Sequence, residues 1–316
     1  MSDTFTPPLA GWVNDPAAAI QGRGLVQAIQ GVPLSFADAA PQLAEAADDD
    51  RDVVFWKAEE AILKSIQRSW NQGQVGTCVS FGFGRGCNDL ILLQCVAGKS
   101  QWPGTTVATE PIYAGSRVEV GGGRISGDGS VGSWALAWLM KWGVLLRKTY
   151  GSIDLTLYSE SRSRDWGRRG CPDELEPVAK QFPVKKGVQV RTTDEAWKLL
   201  GNFNPIPVCS NVGFDSPLVE GFCEAAGSWG HCMLTRGRVL ARRRGSLQRA
   251  YPIQNSWGAY LRGEPFYIDR NGDKQPLPEG CFLADEEDYA RILRADDSYA
   301  IDDANGFAPR NLDWLI

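Results

Sequence analysis

The first half of the chain has apolar residues at helical spacing. Over residues 55–70 they recur every three or four positions, which predicts a helix. A second helix is predicted from about Cys78 to a stop near Gly98, and a third contains three tryptophans four positions apart over residues 134–142. We therefore expect this half of the chain to be mainly helical.

Beyond Pro205 the spacing changes, and short apolar runs bounded by turn residues predict strands. The predicted strands are 206–212, 231–240, 251–255, 266–268 and 281–284. Between the two halves, residues 192–195 form a capping box that predicts a short helix ending near Leu200. Asn271-Gly272 is typical of a hairpin turn. Helices followed by strands indicate an α+β fold.

The composition is that of a folded protein with a large core. Of 316 residues, 43% are hydrophobic and 22% are charged. This length favours two lobes, or a domain with arms. We divide the chain into an extended N-terminal arm with a short helix near residues 36–46, a helical lobe, a β-rich lobe and a C-terminal arm. Their bounds are 1–50, 51–160, 161–294 and 295–316.

The charge and the first residues limit the partners. A net charge of −5 argues against general nucleic-acid binding, which needs a basic surface. The start of the chain has no basic segment followed by an apolar run, so we expect no secretory signal. The longest apolar tract, Val131 to Leu146, is interrupted by Lys141 and is too short to span a bilayer. We expect cytoplasmic synthesis, with neither nucleic acid nor a membrane as partner.

The cysteines and the single histidine argue against a zinc site. There are eight cysteines, but no two of them form a CxxC pair. We therefore expect no metal. An even number of cysteines is compatible with disulfides, yet without a signal peptide buried free thiols are the favoured interpretation.

The single histidine, His231, follows Gly230 and stands between two other candidate residues in the sequence. Cys78 lies far upstream, shortly after Gly76, and Asn255 lies downstream. A thiol, an imidazole and an amide in this order supply a nucleophile, a general base and a group that orients the base. The order predicts a thiol hydrolase, and one histidine leaves no second candidate for the base.

Three short motifs carry a resemblance to a known family. They are Gln72-Gly73-x-x-Gly76-x-Cys78, Gly230-His231 and Asn255-Ser256-Trp257-Gly258. Over roughly residues 70–290 the chain resembles the papain (C1) family of cysteine peptidases. The resemblance implies a two-lobe fold with a helical left lobe, a β-rich, barrel-like right lobe and an active-site cleft between them. It also implies a polypeptide substrate and no cofactor.

The resemblance further implies a role for each matching residue. Cys78 is the expected nucleophile, activated by the N-terminal end of its helix and by a His231 imidazolium. His231 is also expected to protonate the leaving amine, while Asn255 orients its ring. Gln72 is expected to stabilise the oxyanion, and Trp257 to shield the histidine–asparagine hydrogen bond from water.

Two alternatives stay open from the sequence. The arms 1–50 and 295–316 are polar and would suit docking into a larger protein assembly, such as a virus or phage particle. The fold would then be structural, with residual or single-use hydrolysis. The other alternative keeps the enzyme and replaces the protein substrate with a cell-wall peptide, although no wall-binding repeat is recognisable.

Overall fold

The computed structural model of the protein describes residues 11–47, 49–216 and 218–307. In these residues the helices are α1 (Pro16–Gln30), α2 (Phe36–Ala39), α3 (Pro41–Glu45), α4 (Trp56–Leu63), α5 (Cys78–Val96), α6 (Glu110–Gly115), α7 (Gly132–Lys141), α8 (Glu160–Arg169), α9 (Glu176–Ala179), α10 (Thr193–Gly201) and α11 (Glu286–Leu293). A π-helical turn, Ser116–Val120, continues α6. The strands are β1 (Val53–Val54), β2 (Thr149–Tyr150), β3 (Ile153–Asp154), β4 (Val184–Gln189), β5 (Ile206–Phe214), β6 (Ala225–Thr235), β7 (Gly237–Arg243), β8 (Ser246–Gln254), β9 (Phe266–Asp269), β10 (Lys274–Pro276), β11 (Cys281–Asp285) and β12 (Tyr299–Ala304).

These strands build one large antiparallel sheet and two small ribbons. The large sheet runs in the order β10-β9-β7-β8-β6-β5, with β1 beside β7 and β11 beside β8. The ribbons pair β4 with β12 and β2 with β3. Except for β1, every strand of the large sheet comes from the second half of the chain. The predicted α+β class, with a helical part and a β-rich part, is confirmed.

Helix α5 joins the helical part to the large sheet. It contacts α4, α6 and α7 as well as β5 and β6, and most of its residues are buried. Gly82 permits the close approach to the sheet, because a Cβ there would lie 2.8 Å from the Cys232 Sγ on β6. Since α5 begins at Cys78, this packing brings the N-terminal end of the helix next to β6.

A buried cluster of charges fixes α5 against the sheet. Arg236, between β6 and β7, donates two hydrogen bonds to Asp89 of α5, at 2.7 and 2.8 Å. Glu59 of α4 forms ion pairs with Arg236 and with Arg85. All four side chains are buried, and removal of one partner from such a cluster costs about 3–5 kcal/mol because a charge is left unpaired. The cluster therefore holds α4, α5 and the sheet in one arrangement.

Most predicted elements are present, with changes at their ends. The helix predicted over 55–70 ends early, because Lys64 adopts a left-handed conformation with φ 60°. The strand predicted over 231–240 is the end of β6 and the start of β7, interrupted at Arg236. Both breaks are changes of backbone direction, which an apolar pattern does not report. The capping box of α10 is formed as predicted.

The two ends pack into the body more than the expected arms would. Helix α1 packs on α7, and the sequence pattern does not predict it. Its buried residues are Ala18, Ala19, Gly22 and Val26. Such small side chains give a weak hydrophobic signal. At the other end, β12 pairs with β4, so residues 299–304 are not a free arm.

The remaining predictions for the N-terminal and C-terminal arms are confirmed in one part and untested in the others. The short helix expected near residues 36–46 is present as α2 and α3. Residues 1–10 and 308–316 lie outside the described residues. The division of the chain into four parts stays a prediction.

The eight cysteines are all buried and unpaired, so the prediction of free thiols is confirmed. In the described ranges, no group of three or more histidine, cysteine or carboxylate side chains is placed to hold a metal ion. None of the helices in those ranges is at once long enough and apolar enough to cross a membrane.

The capping box of α10 provides a test of local stability. Thr192 Oγ1 accepts the backbone N–H of Glu195 at 3.2 Å, and the Glu195 carboxylate accepts the N–H of Thr192 at 3.3 Å. Thr192→Ala removes the first bond and is expected to lower the free energy of unfolding by about 1 kcal/mol, as measured by urea denaturation. Thr193→Ala is the control and should have less than half that effect. Equal losses would contradict the role of the cap.

Candidate active site

Cys78 is the first residue of α5 and is completely buried. The preceding Thr77 does not cap the helix through its side chain. The Cys78 sulfur accepts a hydrogen bond from the backbone N–H of Cys232 at 3.3 Å. Because Cys232 directly follows His231 on β6, this bond places the thiol beside the part of the strand that carries the imidazole.

The His231 ring is held by Asn255. The distance from His231 Nε2 to Asn255 Oδ1 is 2.8 Å, and the same oxygen accepts the backbone N–H of Ser256 at 2.6 Å. An amide oxygen only accepts hydrogen bonds, so Nε2 carries the proton and Nδ1 is the nitrogen with the free lone pair. Nδ1 is buried and forms no hydrogen bond within the described part of the chain. The neutral ring therefore presents one unused acceptor.

Trp257 covers the imidazole. Its ring centroid lies 4.4 Å from that of His231, and the two planes are inclined by 31°. Trp229 packs on Trp257 with a centroid distance of 4.8 Å. Trp257 is itself only 5% exposed. The aromatic cover contributes to the complete burial of the His231 ring.

Gln72 is buried and fixed by two neighbours of the site. Its Oε1 accepts a hydrogen bond from Ser256 Oγ at 2.7 Å, and its Nε2 donates to the Val75 carbonyl at 3.0 Å. Its backbone N–H donates to the carbonyl of Ser256 at 2.9 Å. These bonds tie the segment before Cys78 to the segment after Asn255. Ser256 thus positions Gln72, a role that the sequence did not reveal.

A segment near the N-terminus lies across the candidate site. The backbone N–H groups of Gly11 and Trp12 both donate to the carbonyl of Gly230, at 2.9 and 2.8 Å. On the other side, Ser130 N–H donates to Gly11 O at 2.8 Å, and Val13 N–H donates to Ser130 O at 2.9 Å. Residues 11–13 therefore bridge the residue before His231 and the residues before α7. We refer to residues 11–13 as the covering segment.

Gly11 is the point at which the covering segment comes nearest to the nucleophile helix. A Cβ on Gly11 would lie 2.7 Å from Gly76 Cα and closer still to the Gly76 carbonyl, so only glycine fits. Gly76 is held in turn by Asp128, whose carboxylate accepts its N–H at 3.1 Å. The sequence pattern did not identify this segment. Its main contacts are made by backbone atoms, which leave no pattern of side chains in the sequence.

Burial keeps both candidate reacting groups uncharged. Burial, and after it the neighbouring Cys232 thiol, raises the pKa of Cys78, while backbone N–H groups that include Gly11 oppose the shift. Burial also lowers the pKa of His231 to about 4, although its bond to Asn255 acts in the other direction. Both shifts favour the uncharged forms, a thiol and a neutral imidazole, because burial leaves either charge without solvation.

The single histidine makes this pKa directly measurable. NMR signals of His231 are expected to titrate near pH 4 instead of 6.5. Because the folded pKa is lowered, the unfolded chain binds an extra proton between these values, and stability falls as the pH drops through that window. The total loss, complete once the pH is below about 4, is about 3 kcal/mol, measured as the difference between the wild type and His231→Gln. A titration near pH 6.5 would contradict a buried, neutral ring.

Known proteins of similar structure identify the fold that carries this site. No protein-family model matches the sequence, and no curated protein matches it. Among solved structures, xylellain, a cysteine protease from Xylella fastidiosa, matches with a TM-score of 0.57 and 15% identity, covering 95% of this chain and 98% of that chain. ProCathepsin B S9 from Trypanosoma congolense matches with a TM-score of 0.55 and 9% identity, covering 94% and 87%.

A third match is digestive procathepsin L 3 of Tenebrio molitor larval midgut, with a TM-score of 0.51 and 13% identity, covering 92% of this chain and 79% of that chain. Identities this low establish a shared fold and nothing finer. The fold implied by the motifs around Cys78, His231 and Asn255 is therefore the one observed: this chain has the papain-like fold of the cysteine proteases.

Proposed function

We propose that the chain is a cysteine peptidase that hydrolyses peptide bonds of a polypeptide substrate through a thioester acyl-enzyme. Cys78 is the nucleophile, His231 is the general acid and base, and Asn255 orients the imidazole. In the state described above the covering segment lies over these residues. The proposal therefore includes a covered resting form and an open form.

One observation carries the proposal. His231 Nδ1 is a buried acceptor without a hydrogen bond in the described ranges. The next residue in the sequence, Cys232, donates its backbone N–H to Cys78 Sγ. Buried polar atoms are normally hydrogen-bonded, since leaving one unpaired costs about 1–3 kcal/mol. For a histidine buried only for packing, nothing offsets this free-energy cost. A histidine that accepts the proton of a neighbouring thiol needs an acceptor nitrogen that is not already occupied.

In the open form the sulfur attacks the carbonyl carbon of the peptide, and a C–S bond forms while the thiol proton passes to His231 Nδ1. The C–N bond then breaks as the imidazolium returns this proton to the leaving amine. The first product departs with a free amino group, and the other half of the substrate remains on Cys78 as a thioester.

Water completes the cycle. His231 removes a proton from the attacking water, the C–S bond breaks, and the acid product leaves with the thiol regenerated. During both steps Gln72 donates an N–H to the oxyanion beside the backbone N–H of Cys78, a contribution of about 3–4 kcal/mol per donor. Ser256 and Val75 hold the Gln72 amide in place for this purpose.

The covering segment is proposed to keep the enzyme inactive until it is displaced. Its backbone occupies hydrogen bonds of Gly230 and Ser130 that a substrate chain lying in the same place would need. Three similar solved structures are described as procathepsin L 3, proCathepsin B and Amb a 11 in its proform. A precursor form is therefore described for other proteins with this fold.

Gly11→Val offers a way to open the site without deleting any residue. A larger side chain at Gly11 overlaps the backbone of Gly76, and neither backbone can move aside while the segment stays docked. The test incubates a peptide library with the wild type and with Gly11→Val and identifies the fragments by mass spectrometry. We expect cleavage by Gly11→Val that disappears when Cys78→Ala is added.

The matched control is Cys87→Ala in the Gly11→Val chain, which removes another buried thiol from α5 and should retain cleavage. Fragments that persist after Cys78→Ala would contradict the proposal. If Gly11→Val cleaves nothing and Cys78 also resists iodoacetamide, the chain is better explained as a structural component of a larger assembly built on the papain-like fold.

A further inference from the structure

Cys232 is a second thiol beside the candidate nucleophile, and the proposed reaction does not use it. Its backbone N–H donates to Cys78 Sγ at 3.3 Å, and its own sulfur is only three covalent bonds from that nitrogen. The Cys232 sulfur lies against α5, where a Cβ on Gly82 would come within 2.8 Å of it. Gly82 is one helical turn after Cys78 and on the same face of α5. The two thiols therefore lie side by side in the contact between α5 and β6.

Cys209 of β5 is a third thiol, directly opposite Cys232 on β6. Opposite residues of an antiparallel pair either exchange two backbone hydrogen bonds or exchange none, and the two kinds of pair alternate along the strands. Cys209 N–H donates to Ser298 Oγ at 3.3 Å, and Cys232 N–H donates to Cys78 Sγ. Two positions before Cys209, Pro207 has no N–H to give to its partner on β6. Cys209 and Cys232 thus form a pair without mutual backbone hydrogen bonds.

A pair of this kind brings two opposite side chains closest together. Its Cα atoms are about 4.5 Å apart, and a disulfide spans Cα atoms about 4.4–6.8 Å apart. Cys209 and Cys232 are both completely buried, and both are free thiols. Burial raises the pKa of Cys209, and the Cys232 thiol opposite it raises that pKa further. The two thiols are therefore placed to form a cross-strand disulfide without any change in the register of β5 and β6.

We propose that Cys209 and Cys232 are a dithiol that takes oxidation away from Cys78 and stores it as a disulfide. The inference rests on the proposed function, because it takes Cys78 to be a reactive nucleophile once the covering segment leaves the site. Such a thiol reacts with a hydroperoxide, and the sulfenic acid that results condenses with a neighbouring thiol. Cys232 contacts Cys78 on one side and Cys209 on the other, so it connects the nucleophile to the pair.

The steps balance with one hydroperoxide as the oxidant. The Cys78 sulfur attacks its terminal oxygen, an S–O bond forms while the O–O bond breaks, and an alcohol leaves with the thiol proton. The Cys232 sulfur then attacks Cys78, an S–S bond replaces the S–O bond, and the hydroxyl leaves as water with the Cys232 proton. Cys209 attacks Cys232 in turn, and its proton passes to the departing Cys78 sulfur. Two thiols have been oxidised, the hydroperoxide has been reduced to an alcohol and water, and the Cys78 thiol is restored.

The first experiment locates the disulfide in the wild type and in the Gly11→Val chain. Each is treated with hydrogen peroxide, its remaining thiols are alkylated in denaturant, and it is digested with chymotrypsin, which separates the cysteines by cutting at aromatic residues between them. We expect two of the eight thiols to be lost, with a linked pair of peptides that contain Cys209 and Cys232. Eight intact thiols in both chains, or oxidation of Cys78 to sulfinic acid without any disulfide, would overturn the inference.

The second experiment follows Cys78 after catalase has removed the peroxide. In the Gly11→Val chain Cys78 should react with iodoacetamide without any reductant, because the relay has restored its thiol. With Cys209→Ala added, the reaction should stop at a disulfide between Cys78 and Cys232, and the alkylated fraction of Cys78 should be about tenfold lower until dithiothreitol is added. Cys87→Ala, which removes another buried thiol of α5, is the matched control and should recover like its parent.

Neither experiment requires hydrolysis, so the relay and the peptidase proposal can fail separately. A linked pair of Cys209 and Cys232 supports the relay even if no peptide is cleaved. Equal recovery of Cys78 with and without the Cys209 thiol would overturn the relay, even in a chain that cleaves peptides. The disulfide map of the wild type needs no substitution, so it decides the question even if Cys209→Ala does not fold.

Discussion

Replacing His231 with alanine in the Gly11→Val chain is expected to lower kcat/KM for peptide hydrolysis by about 10⁴-fold or more. Without the imidazole the Cys78 thiol has no acceptor for its proton, and the leaving amine has no acid to protonate it. Stopped or continuous assays with a fluorogenic peptide measure the effect. The same substitution should slow alkylation of Cys78 by iodoacetamide at pH 6, since the thiolate is no longer stabilised.

Two further variants show whether this loss belongs to the proton transfer. Cys232→Ala keeps the backbone N–H that donates to Cys78 Sγ and leaves the imidazole in place, so it should retain activity within about threefold. Asn255→Ala removes the bond to His231 Nε2 but keeps Trp257 against the ring at 4.4 Å. Its activity should fall between those of the other two. A loss under tenfold for His231→Ala would contradict general acid–base catalysis by this residue.

The residues of the candidate site were predictable because their chemistry depends on side chains. Cys78, His231, Asn255 and Gln72 stand in short motifs with glycine and tryptophan neighbours. Such motifs can be recognised in a sequence without any information about the rest of the chain. The fold class followed from helical spacing before Pro205 and short apolar runs after it. The structure brings these residues together through the close contact of α5 with β6.

The covering segment could not be found in the same way, because backbone atoms make its main contacts. Gly11 and Trp12 donate their N–H groups to the carbonyl of Gly230, and any residue type could supply such donors. The requirement for glycine at position 11 appears only when Gly76 is placed against it. A three-residue pairing with Ser130 is also too short to give a strand pattern.

Long-range polar pairs were the other feature that the sequence did not reveal. Asp89 and Arg236 are paired and buried, yet they are far apart in the sequence and each resembles a surface charge when it is considered alone. Asp297 was assigned to a polar C-terminal arm, and it proves to be one of the most deeply buried acids. A buried charge is recognisable only together with its partners, which the fold supplies.

Gly11→Val is expected to raise the rate of Cys78 alkylation by about 100-fold, which corresponds to a change from about 1% to mostly open molecules. The added side chain overlaps the carbonyl of Gly76. The overlap is removed when the covering segment leaves the cleft. Opening admits water, so the pKa of His231 should rise from about 4 toward 6.5. Alkylation followed by mass spectrometry at pH 6 measures the first effect, and NMR of the single histidine measures the second.

Gly24→Val is the matched control, because it adds the same side chain to α1 where a Cβ meets nothing within 4 Å. It should react at the wild-type rate, and circular dichroism should show that both variants keep the fold. A synthetic peptide that begins at Gly11 and extends to residue 20, added to the Gly11→Val protein, should slow the reaction again, whereas the same peptide with valine at its first position should not. Equal alkylation of the two glycine variants would mean that access to Cys78 is limited by the surrounding core and not by the covering segment.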